Sequence, residues 1–360
     1  MAKSGLSVVV AGGGTAGHIE PALAVADALV TEHDARVVTL GTAKGLEREL
    51  VPARGFQLEL IDPVPVPRKP GIALVKLPFR VLRAVKQTRE ILRQAEADVV
   101  VGFGGYVSAP AYLAAKLNKI PFVIHEANAR AGLANKLGVW LGGTGLNAVA
   151  NSGMKGKVVG VPIQASLTEK ASWEKRAAGF AKWGLDSSKK TLLVTGGSQG
   201  ARSINQALLT AAPEIVAAGF QILHAYGKKN SAPESFPGYV PVPYIDTMDL
   251  AYAVADLVVS RAGAMTVAEV TAAEIPALYV PLPHGNGEQA LNAMPVVEAG
   301  GAQLIDDAEL TGEKLAESVI ALLRDDDLRS HMIRAAQSTG FGQAATEVAG
   351  IVADVAANKK

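Results

Sequence analysis

The sequence contains no cysteine, which excludes disulfides, thiolate catalysis and cysteine-ligated metal. It also lacks a dominant charge: 35 basic against 34 acidic residues leave a formal net charge of +1. A whole-molecule field for nucleic acid is therefore absent, and any basic patch must be local. No run reaches the roughly 18 apolar residues that a membrane span requires. The opening MAKSGLSVVV is too short for the apolar region and cleavage site of a signal peptide. These absences lead to the expectation of a cytosolic protein that could still lie on a membrane.

The chain does have enough residues for two cores. Its length of 360 exceeds one typical domain, and 49% hydrophobic against 19% charged residues argues for compact folding over disorder. Short apolar runs alternate with longer amphipathic stretches, the pattern of βαβ units and parallel sheets. In the first half, strands are expected at Leu6–Ala11, Arg36–Leu40, Gln57–Ile61, Asp98–Phe103 and Pro121–His125. Helices are expected near Ile19–Thr31, Lys44–Ala53, Ile72–Ala95 and Ala109–Leu117, and Leu141–Gly156 reads as Gly-rich and irregular. The pattern restarts with a strand at Thr191–Thr195, followed by Gly196-Gly197-Ser198-Gln199-Gly200 and a helix. A strand, a Gly-rich loop and a helix thus occur near the start of each half. The fold class expected is α/β, with two Rossmann-like domains whose parallel sheets face a cleft. The boundaries expected are 1–163 and 164–340, with a last helix at 341–360 returning to the first domain.

The first such loop, Gly12-Gly13-Gly14-Thr15-Ala16-Gly17, leads into a helix opened by His18. Glycines permit a sharp turn and close ligand approach, and the helix start supplies unpaired N–H groups and partial positive charge, which suits a phosphate. Gly12, Gly14 and Gly17 satisfy a dinucleotide fingerprint, but the second strand, from Arg36 to Gly45, has no acid at its end to hold a ribose. An NAD-dependent oxidoreductase is thereby disfavoured. His18 is placed where a neutral imidazole is favoured, either as a general base or as a helix-start hydrogen-bonder.

Further polar groups cluster at strand ends. Gly102-Phe103-Gly104-Gly105-Tyr106 forms a second phosphate-capable loop in the first half, and His125-Glu126-Ala127-Asn128 reads as an active-site wall or as loop-orienting hydrogen-bonders. In the second half, Ser198 lies in the third Gly-rich loop, and Arg261-Ala262-Gly263-Ala264-Met265-Thr266-Val267-Ala268-Glu269 follows a strand. Glu269 could accept two ribose hydroxyls, while Asn286, Glu288, Gln289 and Asn292 suit sugar hydroxyls. Asp325-Asp326-Asp327 carries a D-x-D spacing seen at metal sites, but between two helical stretches it reads as a helix cap. Arg68 to Arg93 holds eight basic residues against the single acid Glu90, interleaved with Ile72, Leu74, Val75, Leu77, Phe79, Val81 and Leu82. That mixture suits an anionic membrane surface, and with Phe79 the lone aromatic it does not suit nucleic acid.

Taken in order, five of these motifs resemble one family. Gly12 to His18 with Pro21-Ala22-Leu23-Ala24, Gly102 to Ser108, His125 to Asn128, Gly196 to Ala201 and Arg261 to Glu269 are similar to the bacterial lipid II-forming UDP-N-acetylglucosamine transferases of peptidoglycan synthesis. The resemblance covers nearly the whole chain and implies a GT-B glycosyltransferase. It implies inverting transfer of N-acetylglucosamine from UDP-N-acetylglucosamine to undecaprenyl-diphospho-muramyl-pentapeptide, at the cytoplasmic face of the membrane, with no metal and no cofactor. Carried over by residue, it puts donor contacts at Thr15, Ala16, Gly17, Asn128, Ser198, Ile245, Ala264, Met265, Thr266, Val267, Ala268, Glu269 and Gln289. Glu269 would hold the uridine ribose. Gly13, Gly14, Gly104, Gly105 and Tyr106 would face the acceptor diphosphate, and His18, then Glu126, would be the base. Two departures stand out. Ala16 occupies a position that is usually glycine, and Gln164 stands where the family has an arginine that contacts the donor.

Overall fold

The computed structural model describes residues 5–64, 76–168, 171–197, 199–283, 287–339 and 342–358. The apolar runs form two all-parallel sheets. The first contains β1 (Ser7–Ala11), β2 (Arg36–Gly41), β3 (Gln57–Leu60), β4 (Val99–Gly102), β5 (Phe122–Glu126), β6 (Thr144–Asn147) and β7 (Lys157–Val158). Its order is β3-β2-β1-β4-β5-β6-β7. The second contains β8 (Thr191–Thr195), β9 (Gln221–Ala225), β10 (Tyr239–Val242), β11 (Leu257–Ser260), β12 (Ala277–Tyr279) and β13 (Ala302–Leu304), in the order β10-β9-β8-β11-β12-β13. Both repeat the doubly wound Rossmann order, so the duplication read from the sequence is one of topology.

Strands β1, β4, β5 and β8 are buried along their whole lengths, which is why their sequences read as continuous apolar runs without alternation. The order of each sheet reverses beside its first strand. Register pairs Ala11 with Gly102 in one sheet and Thr195 with Ser260 in the other. The loops after β1 and β4 therefore leave side by side, as do those after β8 and β11. Open α/β sheets bind ligands at that switch point.

The chain divides into two compact units, Met1–Gln164 with Gly342–Lys360 and Ala165–Phe341. Gln164 falls with the first unit, one residue past the expected boundary, because its Nε2 donates to Glu20 Oε2 at 3.0 Å. The last helix, Ala344–Ala357, inserts Val348, Ala349 and Val352 into the core formed by Val8, Val10 and the helix Ala16–His33. Thr346 Oγ1 donates to Glu32 and Lys157 pairs with Glu347, fixing the helix at its edges.

Two local expectations are corrected. The stretch read as irregular, Leu141–Gly156, holds β6, and Gly145 there lets the chain at Lys155 approach so closely that a Cβ would sit 2.1 Å from its carbonyl. The helix expected from Lys44 begins at Glu47, because residues 42–45 wrap around the Glu47 side chain. Asp325 caps the helix Asp326–Gln337, its carboxylate accepting from Leu328 N–H, as its position between two helices suggested. No helix among the described residues is long and apolar enough to cross a membrane.

Candidate active site

In the first unit the loops after β1 and β4 interlock. A Cβ on Gly105 would lie 2.1 Å from Gly13 O, one on Gly104 would lie 2.9 Å from the His18 ring, and Tyr106 borders Gly14. His18 is the third residue of the helix Ala16–His33, half-buried, with Nδ1 3.1 Å from Thr15 Oγ1. The structure thus brings Gly13, Gly14, Thr15, His18, Gly104, Gly105 and Tyr106 to one sheet edge. Two N–H groups of the expected diphosphate set are already engaged: Gly14 N–H donates to Glu47 and Gly104 N–H to Ser108 Oγ.

Glu126 is buried and accepts from four donors. Oε1 takes Asn128 N–H and Nδ2, and Oε2 takes Gly132 N–H and Asn135 Nδ2. Asn128 is held by the same carboxylate. Asn135, which the sequence reading missed, also accepts from Tyr112 Oη at 3.0 Å, and its Nδ2 lies beside the Cβ position of Gly104. Burial pushes the Tyr112 hydroxyl well above its ordinary range. His125 is fully buried with Nε2 donating to Gly160 O at 2.8 Å, and no partner is present for Nδ1 among the described residues. Burial lowers it from 6.5 to about 4, so it is a neutral clamp on the chain at Gly160.

Gln164, at the position where the family resemblance implies a donor-contacting arginine, is engaged within the first unit. Its amide binds Glu20, which also pairs with Arg54, and Arg54 pairs in turn with Asp27. An uncharged amide beside this acidic pair completes a network within the first unit.

In the second unit the loop after β8 packs on the loop after β9. A Cβ on Gly200 would lie 2.2 Å from Tyr226 O. Asn230 Nδ2 donates to Gln199 O and to Tyr226 O, and Asn205 Nδ2 also donates to Tyr226 O. Asn205 Oδ1 accepts from His224 Nε2 at 3.1 Å, and His224 Nδ1 accepts from Tyr239 Oη at 2.8 Å. Burial lowers His224 to about 4 and raises Tyr239 to about 12, so both stay neutral. Ser198 lies outside the described residues, as do Asn286 and positions 68–75 of the basic stretch.

The helix Ala264–Ala272 starts at this unit's switch point, capped by Gly263. Ala264, Met265, Thr266 and Glu269 are half-buried, whereas Val267, Ala268 and Ile245 face the core. Those three can reach a ligand only through main-chain groups. Glu269 accepts from Tyr252 Oη at 2.9 Å. Burial and the Glu269 charge together push the Tyr252 hydroxyl well above its ordinary range, so it remains a donor. Gln289 Oε1 accepts from Leu282 N–H, and Asn292 Nδ2 donates to Ala262 O, tying the helix Glu288–Ala299 to the loops at this edge. Arg261 is a tether: it binds Asp307, Ser203 and the carbonyls of Val280 and Pro281.

Residues 8–142 match the glycosyltransferase family 28 N-terminal domain and residues 191–348 the family's C-terminal domain. The chain belongs to glycosyltransferase family 28, and its two parallel α/β domains give it the GT-B architecture. Within that class its likeness is specific. The UDP-N-acetylglucosamine--N-acetylmuramyl-(pentapeptide) pyrophosphoryl-undecaprenol N-acetylglucosamine transferase of Corynebacterium efficiens is 60% identical over 354 residues, covering 98% of each chain. The protein of the same name from Mycolicibacterium smegmatis is 54% identical over 364 residues, covering 98% of this chain and 94% of its own. The crystal structure of MurG from Acinetobacter baumannii matches with a TM-score of 0.73 at 29% identity, over 96% of this chain and 99% of that one.

Proposed function

We infer that this protein transfers N-acetylglucosamine from UDP-N-acetylglucosamine to undecaprenyl-diphospho-muramyl-pentapeptide. The observation that carries this reading is 60% identity, over 98% of both chains, to a relative named for that reaction. The acceptor hydroxyl attacks the anomeric carbon in line as UDP leaves, which inverts that centre. Glu269 holds the uridine ribose, and the N–H groups at the start of the helix Ala264–Ala272 face the donor, where a helix N-terminus stabilises a departing diphosphate without a cation. Gly13, Gly105 and Tyr106 are the members of the expected acceptor-diphosphate set left for an anion once the Gly14 and Gly104 N–H groups are assigned.

His18 takes the proton from the acceptor hydroxyl. The tautomer that donates from Nδ1 to Thr15 Oγ1 puts the basic lone pair on Nε2. Position three of a helix also opposes a positive charge on the ring. Glu126, with both oxygens committed to four donors, is assigned to holding the loop. His18→Ala should lower kcat by roughly 10²–10⁴-fold while leaving UDP affinity in place. Full turnover by that variant removes His18 as the base.

The protein works as a peripheral enzyme on the cytoplasmic membrane face. The helix Leu77–Gln94 exposes Phe79 (74%) and Leu82 (66%) among Lys76, Arg80, Arg83 and Lys86. Leu133 (77%) and Trp140 (80%), seven residues apart on the helix Leu133–Trp140, add apolar area on the same side of the sheet. Apolar tips ringed by cations fit an anionic bilayer surface.

The deciding assay is radiolabelled UDP-N-acetylglucosamine with the lipid-linked muramyl-pentapeptide and a metal chelator present. Labelled disaccharide-lipid is expected. Transfer to diacylglycerol in its place would favour another lipid glycosyltransferase of this fold.

A further inference from the structure

A fully buried carboxylate lies behind the loop that carries His18, and the proposed chemistry does not use it. Glu47 is 0% exposed. Its Oε2 accepts from Gly14 N–H at 3.0 Å, and its Oε1 accepts from Thr42 N–H at 2.6 Å and from Thr42 Oγ1 at 2.9 Å. All three partners are donors, which matches an acceptor-only group. The chain is shaped around it. A Cβ on Gly45 would fall 1.9 Å from Oε2, one on Gly41 would fall 2.4 Å from Cγ, and one on Gly13 would fall 3.1 Å from Oε1. Burying a carboxyl group is costly, and leaving its donors unpaired more so, so three donors and three glycines around one side chain fix a single arrangement.

That arrangement ends at the reacting edge. The peptide N–H that Glu47 holds belongs to Gly14. The next residue, Thr15, is the N-cap whose Oγ1 meets His18 Nδ1. We propose that Glu47 is a positioning residue for the transfer step: by fixing the Gly14 peptide it sets Thr15, and through Thr15 the orientation of His18. The proposal rests on the reading that His18 is the base. Glu47 itself touches no substrate.

The test is a double-mutant cycle on the full chain, with labelled donor and the lipid-linked acceptor. Glu47→Gln keeps the shape but turns an NH₂ toward donors that need an acceptor. It should lower kcat by about 10- to 100-fold, the scale of a small misplacement of a reacting group, with UDP affinity within about twofold of wild type. In a His18→Ala background the same substitution should cost less than about twofold, because its effect runs through His18. A structural role would cost the same in both backgrounds. Thr42→Val removes one donor, leaves the carboxylate in place and carries the test if Glu47→Gln does not fold. It should lower kcat by roughly two- to fivefold in the wild-type background and not in His18→Ala. Equal losses in both backgrounds, a parallel fall in UDP affinity, or unchanged kcat in Thr42→Val overturn the proposal for Glu47 alone. Full turnover by His18→Ala overturns the base assignment as well.

Discussion

The Gly-rich loops after β1 and β8 share one topology and differ in what stands behind them. Both follow the first strand of a Rossmann sheet and lead to a helix. The loop after β1 is anchored by a carboxylate, Glu47, which takes one of its N–H groups. Among the described residues the loop after β8 is held by neutral groups: Asn230 donates to Gln199 O and, like Asn205, to Tyr226 O, and Asn205 in turn binds a histidine that burial keeps uncharged. A negative charge behind a loop weakens its attraction for an anion and stiffens it. The first loop is thus suited to hold a side chain in place. The second has no carboxylate in that position among the described residues, so on the proposed reading the field at the start of its helix would add to that of the helix Ala264–Ala272 in favouring the donor's diphosphate. On the proposed reading the first loop would combine the positioning of His18 with an anion contact at Gly13, while the second would serve the donor alone, and the difference lies in groups outside the motif.

The sharpest way to break this comparison is a matched pair of glycine substitutions. Gly105 has φ +81 and Gly200 has φ +72, and at each an added Cβ would strike a backbone carbonyl. Gly105→Ala should lower kcat by about 100-fold with UDP binding retained, and Gly200→Ala should weaken UDP binding by a similar factor. Steady-state kinetics and UDP calorimetry separate the two, and a fall in UDP affinity in both variants would erase the distinction.

A smaller effect is expected at the ribose. Glu269→Ala should raise the UDP dissociation constant by roughly 10- to 100-fold, the ~1.5–3 kcal/mol of hydrogen bonds to a charged group. Tyr252→Phe, which removes the donor to Glu269, should cost about tenfold or less. If neither moves UDP affinity, the donor does not sit on this helix.

Stability against pH compares the two units more gently. His125 and His224 are each held at about 4, below the ordinary 6.5. Between those values the unfolded chain binds protons that the folded chain refuses, so stability is full above about pH 6.5 and falls as pH drops toward 4. Urea unfolding at pH 5 should take up about one proton per histidine, and His125→Phe or His224→Phe should each remove one. The smallest change is expected at the membrane. Phe79→Ser should weaken co-sedimentation with anionic vesicles by about tenfold, in line with burial of one aromatic side chain, and the remaining binding should fall with salt. Unchanged partition would detach the basic helix from the bilayer.

The strands were legible because parallel strands buried on both faces leave long apolar runs, and the Gly-rich loops were legible because glycine has few other reasons to cluster there. β6 was not, since the four residues TGLN carry no apolar run and include Gly145, which the close approach of the chain at Lys155 requires. Glu47 was hidden by its position two residues after Gly45, where an acid reads as an ordinary first-turn residue of a helix. Glu126 and Asn128 were found, but that one binds the other was invisible until the loop closed on itself.

By itself, then, the sequence determined the periodicity, the two halves and the motifs that place this chain among the family 28 glycosyltransferases, because these depend on neighbours along the chain. Tertiary structure alone decided which polar groups are already spent. Glu126 on its loop, Gln164 on Glu20, Arg261 on Asp307 and Glu47 on Gly14 are paired across 2 to 144 positions of sequence. A hydrogen bond depends on distance in space, and folding sets that distance without leaving a spacing to read.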